Sequence, residues 1–179
     1  MFSDPLVQRM LRGALGFLAS GAVIAVGIAL MSNLSPRHQL TAVVSSFLLG
    51  GALAGAWLAS TIFGTWRPAS ILCSAAGFAL GGSVFTILTA AQAKSSELML
   101  SAGLAWAAGG LLIGAGFTHW DRSLLLVVLG PMAFGAAGVV SWLVMESTRH
   151  PSLSLAAASF VTTVLGGTLF SAAAALLKR

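Results

Sequence analysis

Apolar and polar positions are segregated into long blocks along this chain. Six apolar blocks of 19 to 25 residues contain no Asp, Glu, Lys, Arg or His, and five short polar connections separate them. The blocks are residues 13–31, 40–63, 69–91, 98–117, 124–145 and 153–177. Because about 20 helical residues cross a hydrocarbon core of roughly 30 Å, each block predicts one transmembrane helix.

The apolar character extends over every face of these blocks. Strands of a transmembrane barrel would instead alternate apolar and polar residues, so helices are the better interpretation. The connections are 8, 5, 6, 6 and 7 residues long, which leaves almost no chain for a domain outside the bilayer. The pattern therefore predicts an all-α polytopic membrane protein, with residues 1–179 forming one bundle.

A short motif recurs in the second, fourth and sixth blocks. The pattern Gly-Gly-x-Leu-x-(Gly/Ser)-Ala occupies residues 50–56, 109–115 and 166–172, with a spacing of 57 to 59 residues. This period predicts three repeated helical hairpins, at about residues 11–63, 69–118 and 124–177. The first and fifth blocks also align without a gap, and this alignment places Phe17 opposite Pro131.

Pairs of small residues four positions apart occur within the blocks. The candidate packing residues are Gly51 with Gly55, Gly77 with Gly81, Gly110 with Gly114, and Gly167 with Ser171. Residues at this spacing share one helix face, and small side chains let helix backbones approach closely in lipid. We expect these faces to pack the hairpins around a pseudo-three-fold axis. A narrow pore along that axis and a contact with another subunit are the alternatives.

Composition and charge agree with a membrane protein. Hydrophobic residues make up 58% of the chain, charged residues 7%, and the mean hydropathy is +0.97. The net charge of +5 comes from basic residues near helix ends, so we expect lipid head groups rather than nucleic acid as partners. Other membrane subunits or further copies of the chain are the protein partners that fit. Six basic residues on the side of the termini, against three on the other, predict cytoplasmic termini.

Few residues are candidates for catalysis, ligand binding or a change of charge. Without an ionisable group inside the blocks, we expect no catalytic residue, cofactor ligand or metal ligand, and the single Cys73 cannot form an intrachain disulfide. His38 and His150 flank the blocks on the side opposite the termini, and histidine is the side chain that changes charge between about pH 5 and 8. They are candidate pH-responsive residues. Pro131, inside the fifth block, is a candidate helix kink.

Several features together resemble the HdeD-like acid-resistance membrane proteins. They are Arg12-Gly13 at the start of the first block, Leu-Gly-x-x-Ala-x-Gly from Leu15, the turn prolines Pro36 and Pro151, and Trp120-Asp121-Arg122 before the third hairpin. The middle turn lacks the proline. The resemblance implies a six-helix protein of the bacterial inner membrane, connected with acid stress, and supplies no catalytic or ligand residue.

Two other functions remain open at this stage. An accessory subunit of a larger membrane complex would present a small-residue or aromatic stripe on its outer surface. A passive channel for a small neutral solute would need a continuous opening lined by Ser and Thr side chains. The direction in which the small-residue faces point therefore separates these alternatives.

Overall fold

The structure of the chain is a computed structural model that describes residues 5–31, 33–64, 66–90, 96–118, 124–147 and 151–177. Regular structure in these ranges is helical throughout, and six helices are long and apolar enough to cross a membrane, which confirms the predicted fold class. The helices are α1 (Pro5–Met31), α2 (Pro36–Leu58), α3 (Pro68–Ala90), α4 (Ser96–Ala115), α5 (Leu124–Ser147) and α6 (Pro151–Leu177).

The helices extend beyond the apolar blocks, chiefly at their starts. Proline is the first residue of α1, α2, α3 and α6, where its missing amide hydrogen costs no helical hydrogen bond. The largest extension is at α1, which begins eight residues before the first block and so includes Arg9 and Arg12. A helix end that reaches the head-group region tolerates such charges, so the blocks define the spans but not the helix limits.

The six helices form a closed ring. Each helix packs against its neighbours in sequence, and α6 packs against α1 to complete the circle. Because the connections are short, successive helices run in opposite directions, and the start of α1 and the end of α6 lie at the same end of the bundle. This end is called the termini end below, and the other is called the opposite end.

A π-helical turn, Ala59–Phe63, follows α2 at the termini end. Gly64 ends it in the left-handed region, at a φ of 69°, which glycine adopts without a steric penalty. Both Ile62 and Phe63 are buried within this turn, and the Phe63 ring stacks on Phe117 with 5.0 Å between centroids. The wide turn thus directs two consecutive large side chains into the bundle.

Candidate functional site

Three phenylalanines from α1, α3 and α5 meet in the middle of the ring. The ring centroids of Phe17 and Phe78 are 6.4 Å apart, those of Phe78 and Phe134 are 5.5 Å apart, and those of Phe17 and Phe134 are 6.1 Å apart. Their exposed fractions are 0 to 1%. Since each of the three helices is the first of its hairpin, this triad marks the axis about which the hairpins are arranged.

The axial triad shows which residues of α1 and α5 occupy equivalent places, and these differ from the pairs in the sequence alignment. Phe17 occupies the place of Phe134, whereas the gap-free alignment of the two blocks places it opposite Pro131, nearly one turn earlier. The alignment rests on Leu, Gly and Ala, which recur so often in these helices that several registers match. At the axis, the structure therefore pairs Phe17 with Phe134 and not with Pro131.

Further aromatic side chains continue the triad in both directions. Towards the opposite end, Trp106 lies 6.0 Å from Phe78 and 6.2 Å from Phe85, measured between ring centroids. Towards the termini end, Phe170 lies 6.3 Å from Phe134 and 6.0 Å from Phe117, which stacks on Phe63. Residues that line a water-wide pore would be accessible to water, but Phe78, Trp106 and Phe170 are fully buried. An aromatic column thus fills the axis.

The second glycine of each Gly-Gly motif faces the first helix of the following hairpin. A Cβ atom added at Gly51 would lie 2.7 Å from the Ser74 carbonyl oxygen of α3. Likewise, a Cβ at Gly110 would meet the Gly130 carbonyl of α5, and one at Gly167 would meet the Phe17 ring of α1. The third of these contacts is made to α1. The same kind of glycine contact therefore joins all three hairpins into the ring.

One turn further along, two of these small-residue pairs also meet a small residue on the adjacent helix. A Cβ atom added at Gly55 would lie 2.8 Å from the Ser74 side chain, and one added at Gly13 would lie 2.6 Å from the Ser171 Cβ. The serine is therefore on α3 at one crossing and on α6 at the other, with glycine opposite it each time. At the remaining crossing, Gly114 lies beside the Leu126 carbonyl. Each of the first two crossings thus has room for one hydroxymethyl group.

The pair on α3 makes contacts within its own hairpin. A Cβ added at Gly77 would lie 2.8 Å from the Ile113 Cγ1, and one added at Gly81 would lie 2.9 Å from the Trp106 ring. All eight predicted packing residues are buried at helix contacts inside the bundle. The small-residue faces therefore point at neighbouring helices rather than at the outer surface.

Buried hydroxyl groups fall into three groups. The Ser20 Oγ donates to the Gly50 carbonyl at 2.6 Å, and the Ser70 Oγ donates to the Gly116 carbonyl at 2.8 Å, which links the two helices of a hairpin. Thr162 and Thr163 donate to their own helix. Among the described residues, four buried polar atoms have no hydrogen-bond partner: the Oγ atoms of Ser74, Ser159 and Ser171, and the Trp106 Nε1. These hydroxyls are enclosed by helix contacts rather than lining a passage.

The remaining candidates lie apart from the axis. His38 is exposed in the first turn of α2, where its backbone amide donates to the Ser35 carbonyl at 2.8 Å. His150 lies outside the described residues. Helix α5 runs continuously through Pro131, whose nitrogen lies 3.0 Å from a Cβ added at Gly110, so the proline is part of the α4–α5 contact. The kink at Pro131 stays a prediction.

Two features escaped the sequence reasoning. The first is the axial triad, although its signal is present: a phenylalanine follows a glycine or alanine in Gly16-Phe17, Gly77-Phe78 and Ala133-Phe134. The second is a contact between α1 and α2, in which the Trp57 Nε1 donates to the Arg12 carbonyl at 2.7 Å. No local pattern in the sequence signals this pair, because its residues are 45 positions apart.

No protein-family model, no curated protein and no solved structure matches it.

Proposed function

We propose that this chain is a non-enzymatic, non-conducting integral membrane protein of the bacterial inner membrane that acts in acid stress. The acid-stress role and the membrane are those implied by the resemblance to the HdeD-like proteins, and both termini face the cytoplasm in this proposal. The single observation that supports a non-conducting role is the filled axis, in which Phe17, Phe78 and Phe134 are at most 1% exposed. The protein then acts through its outer surface and its helix ends.

The two alternatives fit the geometry less well. A passive channel requires an opening past the axis, and the aromatic column from Phe63 to Phe85 occupies that position. An accessory subunit was expected to carry a small-residue or aromatic stripe on its outer surface. The predicted small packing residues are instead buried between helices, although Trp57 and Trp66 are exposed. The exposed large apolar side chains are mostly leucine and valine, as suits contact with lipid chains.

Flux measurements test the non-conducting part of the proposal. The full chain is reconstituted into vesicles, and the permeation of water, small neutral solutes and protons is followed at about pH 5 and pH 7, the range in which histidine changes charge. We expect the same rates as in protein-free vesicles, because the axial rings leave no water-wide path. A known pore former in the same vesicles is the positive control. Flux above the protein-free rate at either pH would favour the channel instead.

Survival under acid challenge tests the acid-stress part. A strain lacking the gene is expected to survive less well than the wild type, and expression of the wild-type chain should restore survival. If His38 and His150 sense acid, the double variant His38→Gln/His150→Gln should fail to restore it, because glutamine stays neutral. His119→Gln is the matched control, since the sequence predicts that His119, between the fourth and fifth apolar blocks, faces the side of the termini. Equal survival with and without the gene would contradict the acid-stress role.

A further inference from the structure

The outer face of the first hairpin combines basic, aromatic and apolar side chains at the termini end. We propose that this face binds one anionic phospholipid, with the phosphate at the arginines and an acyl chain along the helices. The residues are Arg9, Arg12 and Leu15 of α1 with Leu53 and Trp57 of α2, and together they are called the Arg12–Trp57 surface. The proposal is independent of the acid-stress role.

Trp57 is held in one position although it lies at the surface. Its Nε1 donates to the Arg12 carbonyl at 2.7 Å, and its ring lies over Gly16, where an added Cβ would be 2.8 Å from the Trp57 Nε1. The side chain nevertheless remains 39% exposed. A tryptophan with its polar atom satisfied and its ring facing lipid offers a rigid contact at the depth where head groups meet acyl chains.

The charge beside Trp57 is positive. Arg12 is exposed and Arg9 is half-buried, and residues three apart are neighbours on a helix surface. Guanidinium groups bind phosphate oxygens through paired hydrogen bonds. A lipid with a net negative charge is favoured over a zwitterionic lipid, because the ammonium group of the latter offsets the charge of its phosphate. Glu146 is the one acidic residue whose side chain belongs to the described part of the chain, and it lies at the opposite end, bonded to the Trp142 Nε1. The guanidinium groups of Arg9 and Arg12 thus make this surface attractive to an anion.

The apolar part of the surface begins where the arginines end. Leu15 follows Arg12 by one turn and is 59% exposed, and Leu53 precedes Trp57 by one turn and is also exposed. Both leucines lie further from the termini end than the charged groups. An amphiphile with its anionic group at Arg12 would therefore extend its chain over Leu15 and Leu53, as a phospholipid does.

The repeat supplies an independent argument. Counted from the axial phenylalanines and from the Gly-Gly motifs, the positions of Arg12 and Trp57 have counterparts in the other hairpins. These are Cys73 and Gly116 in the second hairpin, and Leu129 and Ala173 in the third. Two hairpins thus take their place in the ring without a basic or aromatic residue at these positions. The pair is a feature added to the outer surface of the first hairpin rather than a requirement of the fold.

Native mass spectrometry of the full chain, purified in detergent, tests this site. The protein is titrated with phosphatidylglycerol and, separately, with phosphatidylethanolamine, and bound lipid is counted. We expect tighter retention of phosphatidylglycerol, and Arg12→Gln should weaken it about fivefold, the equivalent of roughly 1 kcal/mol for one arginine at an anionic surface. Arg12→Lys should recover only part of the affinity because the paired hydrogen bonds are lost.

Arg67→Gln is the matched control. Arg67 is also exposed at the termini end, directly before α3, and its replacement removes the same charge from a residue outside the Arg12–Trp57 surface. We expect this variant to bind phosphatidylglycerol like the wild type. Equal weakening by Arg12→Gln and Arg67→Gln would show diffuse charge attraction and overturn the site, as would equal retention of the two lipids by the wild type.

Trp57→Phe provides a second measurement that does not alter charge. The variant keeps an aromatic ring but loses the hydrogen bond to the Arg12 carbonyl, so the ring is no longer fixed. We expect phosphatidylglycerol affinity to fall two- to threefold with the melting temperature of the lipid-free protein nearly unchanged. Affinity equal to that of the wild type would contradict the role assigned to Trp57.

Discussion

Replacing Phe78 by alanine is expected to destabilise the folded bundle by about 3 kcal/mol. Phe78 is the centre of the axial cluster, since its ring contacts Phe17, Phe134 and Trp106, which belong to three other helices. In a bilayer the unfolded state keeps its phenylalanine in lipid, so the loss is mainly of dispersion contacts and of the space left at the axis. That space cannot close without drawing all three hairpins inwards.

Unfolding of the reconstituted protein in mixed micelles, followed by tryptophan fluorescence, measures this effect. Leu80→Ala is the matched control because Leu80 lies on the same helix, two residues away, and is 43% exposed on the outer surface. We expect its free energy of unfolding to change by less than about 0.5 kcal/mol. If Phe78→Ala lowered the free energy of unfolding no more than Leu80→Ala does, the axial phenylalanine side chains would not be what holds the six helices together.

The number and kind of helices could be predicted from the sequence. A segment inside lipid must satisfy its own backbone hydrogen bonds, so an uncharged apolar block of 19 to 25 residues has one stable form. The residues at which the helices begin and end were harder to predict. Helix α1, for example, includes Arg9 and Arg12, although both lie outside the apolar block. The helix can include them because charged side chains at a helix end reach the lipid head groups.

The closed ring and its centre could not be predicted in the same way. In a soluble protein, the apolar stripe of a helix marks its buried side. Here lipid and core are both apolar, so hydropathy does not show which side of a helix faces the core. The small residues were the signal used for direction, and they left a packed seam, a pore and an outer contact as alternatives. The structure assigns Gly51, Gly110 and Gly167 to contacts with the following hairpin.

The hydroxyl groups illustrate a second limit. Serine and threonine within a helix often bond the preceding turn of their own helix, as Thr162 does with the Ala158 carbonyl. Ser20 instead donates to Gly50 on the adjacent helix, and Ser70 donates to Gly116, directly after the end of α4. Their acceptors are glycine carbonyls that the close approach of two helices brings within reach, so the bonds follow from the tertiary packing and not from local sequence.

Replacing Gly110 by alanine is expected to cost about 2 kcal/mol, because the added methyl group has no room at the α4–α5 crossing. The new Cβ would meet the Gly130 carbonyl oxygen, lie 2.6 Å from its carbon and lie 3.0 Å from the Pro131 nitrogen. All three are backbone atoms, so no side-chain rotation relieves the contact and α5 must move away from α4. Since this crossing joins the second hairpin to the third, the displacement loosens the ring itself.

Gly135→Ala is the matched control on the same pair of helices. Its Cβ would lie 3.2 Å from the Ala107 Cβ and 3.3 Å from the Gly103 carbonyl oxygen, which a shift of a few tenths of an ångström relieves. Alanine is also the better helix former, by about 1 kcal/mol in exposed helices, so this variant should be near neutral. The free energy of unfolding in mixed micelles distinguishes the two. If both variants were equally stable, backbone contact between Gly110 and Gly130 would not be what holds α4 against α5.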